Sequence, residues 1–449
     1  MIGQSRILTT LRAAIAQSEA DQTEAVFIGS TSGLTRYANS YIHQNVAEAN
    51  TTVIFRTALD GKIGVASTNS MSKDNLARAL KNSLEVGRHQ PKNPHFAGLP
   101  KPTKYKKITT YFEPTAAFTP KQRAEVVRKI CREADKFKLT VAGAFSTSTS
   151  EIAVANSNGL AAYQPVTTAA INLVAMSDTS SGLGAGLSRR VLKIPFSAIT
   201  ERAIKKCLDG KNPEELEPGK YDVILEPEAV SEIMDWMLYI AFGAKAYHEK
   251  TSFLSGKSGK KVMGPGVTIY DDGCDSSGLA IPFDFEGVPK KKTYLVKKGL
   301  GAGPVYDSIY AARYKTRSTG HALPAGIGEG PSPTSIFIAP GKKPSASLIA
   351  GVKDGILVTR FHYINGLLNT TRALMTGMTR DGTFRIKNGK IIGPVKNLRF
   401  TESMTAAFSR IGGISRETRL VKNWWGDFGC CSSPTLWLKK FNFSGKTEF

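Results

Sequence analysis

Imidazole and thiol are scarce in this sequence: six histidines and five cysteines serve 449 residues. The cysteines (Cys131, Cys207, Cys274, Cys430 and Cys431) form no C-x-x-C pair and are too scattered for a disulfide framework. That excludes a small disulfide-stapled scaffold and points to a reducing compartment. Adjacent Cys430 and Cys431 are not spaced like a metal-binding pair. Long apolar runs are also missing. None approaches about 18 uninterrupted residues, so no membrane-spanning helix and no membrane partner are expected. The first 22 residues carry Arg6 and Arg12 but no apolar core of signal-peptide length. The chain is read as cytoplasmic. Acidic residues are in deficit, 37 against 60 Lys and Arg, for a net charge of +23. Such an excess suits nucleic acid, an anionic surface or an acidic peptide. No nucleic-acid motif accompanies it, so a solvated basic surface is the expectation and nucleic acid is not the expected partner.

What is present is an ordinary globular composition, 41% hydrophobic and 22% charged, long enough for two or three domains. The organising stretch is Lys220 to Phe253. A short apolar run, Tyr221 to Leu225, reads as a buried strand. Pro227 suits the first turn of a helix, where its missing N–H costs nothing. Apolar residues then recur at helical spacing: Ile233, Trp236, Met237, Ile240, Ala241 and Ala244. The spacing predicts a buried helix over about Glu228 to Gly243.

Ahead of it, Ile7, Leu8, Leu11, Ala14 and Ile15 share one helical face. Ala25 to Ile28 reads as a short strand, followed by a Gly-Ser-Thr turn at Gly29. Thr51–Leu59 and Lys62–Ser67 flank Asp60-Gly61, a hairpin signal. Ser72 caps one helix and Thr119-Pro120 starts another. Residues 90 to 118, rich in proline and lysine, read as a surface loop. Leu139 to Arg190 reads as an antiparallel meander, and Phe196 to Leu208 as a last helix before a boundary at Asp209–Pro213. Beyond residue 255 short strands dominate, with turns at Asp381-Gly382 and Asn388-Gly389. Gly182–Gly186 and Gly299–Gly303 lack phosphate-loop spacing and read as turns between strands. The fold class is α+β: an N-terminal sheet with flanking helices over 1–212, and a mainly β, barrel-like domain over 213–449 around one buried helix.

The order of several short segments resembles the TldD/PmbA, or modulator-of-DNA-gyrase, family over nearly the whole chain. They are Arg36-Tyr37-Ala38-Asn39 with Ile42-His43-Gln44-Asn45, Asp284-Phe285-Glu286-Gly287-Val288-Pro289, and Ser318-Thr319-Gly320-His321. Gly355-Ile356-Leu357-Val358-Thr359-Arg360 and Phe384-Arg385-Ile386 complete the set. The resemblance implies a cytoplasmic heterodimeric metallopeptidase. Its TldD-type subunit binds zinc through a His-Glu-x-x-x-His helix and a late cysteine. Its PmbA- or TldE-type subunit has the same fold without the metal motif and completes a chamber for unfolded or short peptides.

Zinc needs deprotonated N or S ligands, and its bound water needs a carboxylate base. Residues 228 to 245 hold no histidine. Asp235 and Ile240 align with the two histidines, and Trp236 with the glutamate. Trp cannot act as a base and Ile cannot ligate. The resemblance therefore implies no catalytic residue, no metal and no cofactor in this chain, with zinc in a TldD-type partner. Glu228, Glu232 and Asp235 share a helical face and are expected to face water. His248-Glu249 is a chance start to a zinc motif. Cys430 and Cys431 are expected to pack as small apolar residues. His321, His362 and Arg360 are the candidates for contact with a bound extended peptide. For the two histidines the alternative is a hydrogen-bonded place inside the fold. Lys290-Lys291-Lys292 reads as an exposed loop or a chamber edge. The alternatives are a self-sufficient homodimeric peptidase with a rebuilt site, and a basic protein binding nucleic acid or acidic partners. A homodimer of the chain alone is compatible with the reading.

Overall fold

A computed structural model of the chain describes residues 1–422 and 428–447. The N-terminal half is one six-stranded antiparallel sheet. Its order is Lys62–Thr68, Tyr41–Leu59, Gln22–Ala38, Thr140–Asn156, Ala161–Met176, Ser181–Ser188. Period-two alternation gives each strand two different faces. Ala25, Phe27, Val53 and Phe55 pack under helices Gln4–Ile15 and Lys73–Arg88. Phe145, Ile171 and Leu173 pack under helices Pro120–Asp135 and Phe196–Asp209. Val26, Ile54, Ile152 and Val154 line the opposite face against Leu160, Ile281 and Phe283. Thus one face carries the helices and the other meets the C-terminal half.

Local signals place the ends of these elements. Ser72 Oγ accepts from the Asn75 N–H, and Thr119 with Gln122 forms a capping box ahead of Pro120. Asp60 and Gly61 take φ of 52° and 72°, which a tight hairpin needs. Three turn readings fail. The Gly-Ser-Thr segment at Gly29 lies inside strand Gln22–Ala38, which is paired on both sides. The real turn is Asn39-Ser40, both at positive φ. Gly182–Gly186 lies in strand Ser181–Ser188. A Cβ at Gly182 would sit 2.2 Å from the Ala203 carbonyl oxygen, and one at Gly184 2.5 Å from that of Ile199. Those glycines let helix Phe196–Asp209 lie directly on the sheet. Asp381-Gly382 is an irregularity within strand Leu374–Lys387, opposite a register shift between Val358 and Arg360.

The C-terminal half is mainly β. Strands Gly219–Leu225, Asp354–Asn369, Leu374–Lys387, Leu398–Ser403 and Cys430–Lys446 pair in succession, and the last pairs back with the first. The expected hairpin at Asn388-Gly389 forms, with both residues at positive φ. The central helix, Pro227–Ala241, follows the first of these strands. Val230, Ile233, Met234 and Met237 are fully buried in a core with Phe361, Phe400, Leu436 and Phe441. Its N-terminus is Pro227, and it stops one residue before Phe242. Among the described residues no helix is long and apolar enough to cross a membrane.

Candidate functional site

A cleft of about 1070 Å³ opens between the two halves. One wall is the sheet, through Ser146, Asn172 and the edge residues Leu183 and Ala185. The other is the central helix with Arg360–Ile364 and Leu420–Lys422. The helix therefore sits where the sequence put the organising element, with one face turned to the cleft.

That face carries Glu228, Glu232 and Asp235, spaced four and three residues apart. The expectation that they face water fails for two of them: Glu228 is 6% exposed and Asp235 4%, while Glu232 is half-buried at the cleft. Buried carboxylates need cations, and these come from distant parts of the chain. Arg419 donates to Glu228 Oε2 at 2.5 Å, with Arg202 3.8 Å from Oε1. Lys206 lies 2.8 Å from Glu226. Glu232 Oε2 accepts from the Phe361 N–H at 2.6 Å, while Arg360 stands 3.7 Å from Oε1. Desolvation pushes the Glu232 carboxyl up to about 8, Arg360 and the Phe361 N–H opposing it and Asp235 and Glu228 reinforcing it. At neutral pH Glu232 is thus mainly a neutral carboxylic acid that keeps part of its side chain open to the cleft.

The two candidates Arg360 and His362 meet in this cleft. Arg360 Nε donates to Asp381 Oδ2 at 2.5 Å, and Asp381 Oδ1 accepts from Ser181 at 2.6 Å, so a strand of one half is tied to the edge strand of the other. Burial first, then Arg380 and Arg360, lowers the pKa of His362 and favours the neutral ring. His321 stands elsewhere, which corrects its place among the peptide-contact candidates. It is 1% exposed, with Nε2 3.1 Å from Asp271 and Nδ1 2.9 Å from Thr319 Oγ1. Burial works against the Asp271 carboxylate, but His321 and Lys290 outweigh it and hold its pKa at about 2. Lys290 belongs to this buried knot, its ammonium on Thr334 Oγ1. Only Lys291 and Lys292 are exposed as expected.

The residues do not fit a zinc ion at the helix. Trp236 stacks edge-on with Tyr239 and packs closely over Gly366. Ile240 is in the apolar core. Cys430 and Cys431 are fully buried free thiols. Desolvation pushes Cys430 up to about 11 and Cys431 well above the ordinary thiol range. Burial thus favours the protonated thiol at both positions. Among the described residues, no three His, Cys, Asp or Glu side chains group as a metal site.

The segment Asp284–Pro289 is a clasp away from the cleft. Asp284 accepts the N–H groups of Glu286, Val288 and Ala322. Glu286 reaches Arg56 of the sheet at 2.8 Å and Ser308 Oγ at 2.6 Å, and Tyr105 donates to the Gly287 carbonyl. Sequence reasoning missed Ser146 and Asn172 as cleft residues, and Asp381 and Arg419 as the partners of Arg360 and Glu228. The i, i+4, i+7 spacing of the three helix carboxylates was the one available signal, and it was read as solvent-facing.

Fold and cleft together define a two-part α+β protein in which a buried, histidine-free helix borders a cleft between the halves. Family models for the PmbA/TldA metallopeptidase match in sequence order: domain 1 over residues 23–86, the central domain over 113–209 and the C-terminal domain over 218–445. The chain belongs to this family. An uncharacterized protein of Methanocaldococcus jannaschii is 28% identical over 355 residues, 77% of this chain and 80% of that protein. A metalloprotease TldD homolog of Haemophilus influenzae is 28% identical over 175 residues, 38% of this chain and 36% of its own length. The crystal structure of TldE from Thermococcus kodakarensis shares the fold, with a TM-score of 0.88, 21% identity and coverage of 98% of this chain and 100% of that one.

Proposed function

We propose that this chain is the metal-free, PmbA- or TldE-type subunit of a TldD/TldE-like heterodimeric metallopeptidase in the cytoplasm. It completes the chamber that holds unfolded or short peptides, while a TldD-type partner carries the zinc. The observation that carries this reading is the central helix: it faces a cleft of peptide size, yet Asp235, Trp236 and Ile240 stand at the positions of ligand, base and ligand. The cleft's own groups suit holding rather than cutting. Arg360 and neutral His362 supply donors for backbone carbonyls, and the neutral Glu232 carboxyl supplies another. An extended peptide beside strand Ser181–Ser188 would be held through its backbone, with little sequence preference.

The test is to purify the chain with and without a TldD-type partner and to follow cleavage of an unstructured peptide. The pair is expected to cleave and this chain alone is not. Cleavage by the pair no faster than by the partner alone refutes the assisting role. Elemental analysis of the isolated chain separates the homodimeric-peptidase alternative, because stoichiometric zinc bound without a partner would require a rebuilt site.

A further inference from the structure

Strand Asp354–Asn369 borders the cleft through Arg360–Ile364, and there it carries one residue too many. Phe361 and Ile364 both pack into the core, at 0% and 8% exposure. Regular alternation would return to the core after two residues or four, not three. The pairing with strand Leu374–Lys387 shows the insertion. His362 faces Met378 and Asn365 faces Thr376, three steps on one strand against two on the other. Tyr363 takes up the extra step. Its φ is 52°, in the left-handed region that a bulge ordinarily gives to glycine. Among the described residues it is the only aromatic at positive φ.

The fold gains little from a ring at this place. A bulky residue at positive φ is strained where glycine or asparagine is not. Burial does not offset that strain, because Tyr363 is 78% exposed. Its ring meets the neighbouring His362 edge-on, at 4.8 Å between centroids. A backbone outlier that lines a site points to function, and Tyr363 lines the cleft beside Trp236, Arg360 and His362. We propose that Tyr363 grips a large apolar or aromatic side chain of the peptide held in the cleft, so that the favoured substrates are unfolded peptides bearing such residues. This rests on the peptide reading of the cleft. It adds one side-chain preference to a contact otherwise made through the backbone.

The surroundings of the ring select that occupant. The sheet wall of the cleft presents small residues, Ala144, Ser146, Ala170, Ala185 and Gly186. Small residues on one wall leave the volume of about 1070 Å³ free for a large guest side chain. Leu367 lies four residues beyond Tyr363 on the same exposed row and is 57% exposed. The apolar surface therefore continues along the strand from the cleft. An apolar side chain laid on Tyr363 removes water from both surfaces. An aromatic one adds an offset or edge-on ring contact. A peptide of small polar residues gains neither and leaves the ring wet.

The experiment measures, by fluorescence anisotropy, the binding of two labelled peptides to the full chain alone. One is a short unstructured peptide of serine, glycine and threonine with a central phenylalanine; the other has serine in its place. Wild type is expected to bind the phenylalanine peptide about tenfold more tightly or better. Tyr363→Gly is expected to lose that preference while its urea midpoint stays level or rises, because glycine accepts the left-handed backbone. Tyr363→Phe is expected to keep the preference. Equal binding of the two peptides by wild type overturns the proposal. So does a Tyr363→Gly variant with a lower urea midpoint, which would make the ring a folding contact. A Tyr363→Gly variant that keeps the preference but no longer associates with a TldD-type partner also overturns it, and makes the ring a subunit contact. Binding of neither peptide by wild type overturns it together with the peptide reading of the cleft.

Discussion

Replacing Arg56 by methionine tests how the two halves are held together. Arg56 is 7% exposed and lies between Glu24 of the same sheet, at 3.0 Å, and Glu286 of the C-terminal half, at 2.8 Å. Methionine fills much of the volume and removes the charge. Two carboxylates are then left buried with no cation between them, and breaking a buried pair in this way costs about 3–5 kcal/mol. The loss is predicted to depend on pH. Desolvation already pushes the Glu24 carboxyl up to about 7, against the pull of Arg56 and with the push of Glu286. A carboxyl raised on folding contributes stability that is fully present below its ordinary value near 4.5 and is lost as pH rises through about 7. Without Arg56 that raise grows. The variant's deficit should therefore be largest near pH 8 and should shrink near pH 5, where the Glu24 carboxyl takes up a proton. Urea denaturation at the two pH values reads it. The triple variant Glu24→Gln, Arg56→Met, Glu286→Gln removes all three charges and should recover most of the loss. A deficit under about 1 kcal/mol at pH 8, or one that does not diminish on acidification, would refute the clasp.

Two further outcomes follow from the cleft and the sheet. Glu232→Gln reproduces the neutral form of a carboxyl raised from 4.5 to about 8, so it should match wild type below about pH 4.5 and become progressively more stable than wild type as pH rises to about 8, a range in which the unfolded chain ionises this acid and the folded one does not. Equal pH profiles for the two proteins would show that Glu232 is ordinary. Gly184→Val places a side chain against the Ile199 carbonyl, where even a Cβ would lie at 2.5 Å. It should cost about 1–3 kcal/mol or more by overpacking, measured as a lower urea midpoint with an unchanged slope, and a neutral result would mean the helix can lift freely.

Much of the fold was legible because it rests on local signals. Pro227 and the 3.6-residue apolar spacing placed the central helix within a residue or two of Pro227–Ala241. Ser72 and Thr119 announced their helices through side-chain oxygens that satisfy free N–H groups. Asp60-Gly61 and Asn388-Gly389 announced hairpins because they tolerate positive φ. The same residue types misled at Gly29, Gly184 and Asp381. There a strand already paired on its flanks, or a helix lying on its surface, overrode local turn preference.

The candidate site divides in the same way. What the chain alone settled is chemical: the helix facing the cleft has no imidazole, and Trp236 and Ile240 carry no group able to bind a metal or take a proton. What required the tertiary structure is which groups are desolvated and by whom. Glu228 and Glu232 have the spacing of a solvent-facing stripe. Glu228 is buried and Glu232 borders the cleft, and their partners Arg419 and Arg360 arrive from strands more than a hundred residues away. His321 and His362 look alike in sequence, but the first is locked against Asp271 and the second borders the cleft. Side-chain chemistry is local and can be read residue by residue. Burial and charge pairing are set by segments distant in sequence, and only their meeting in space fixes them.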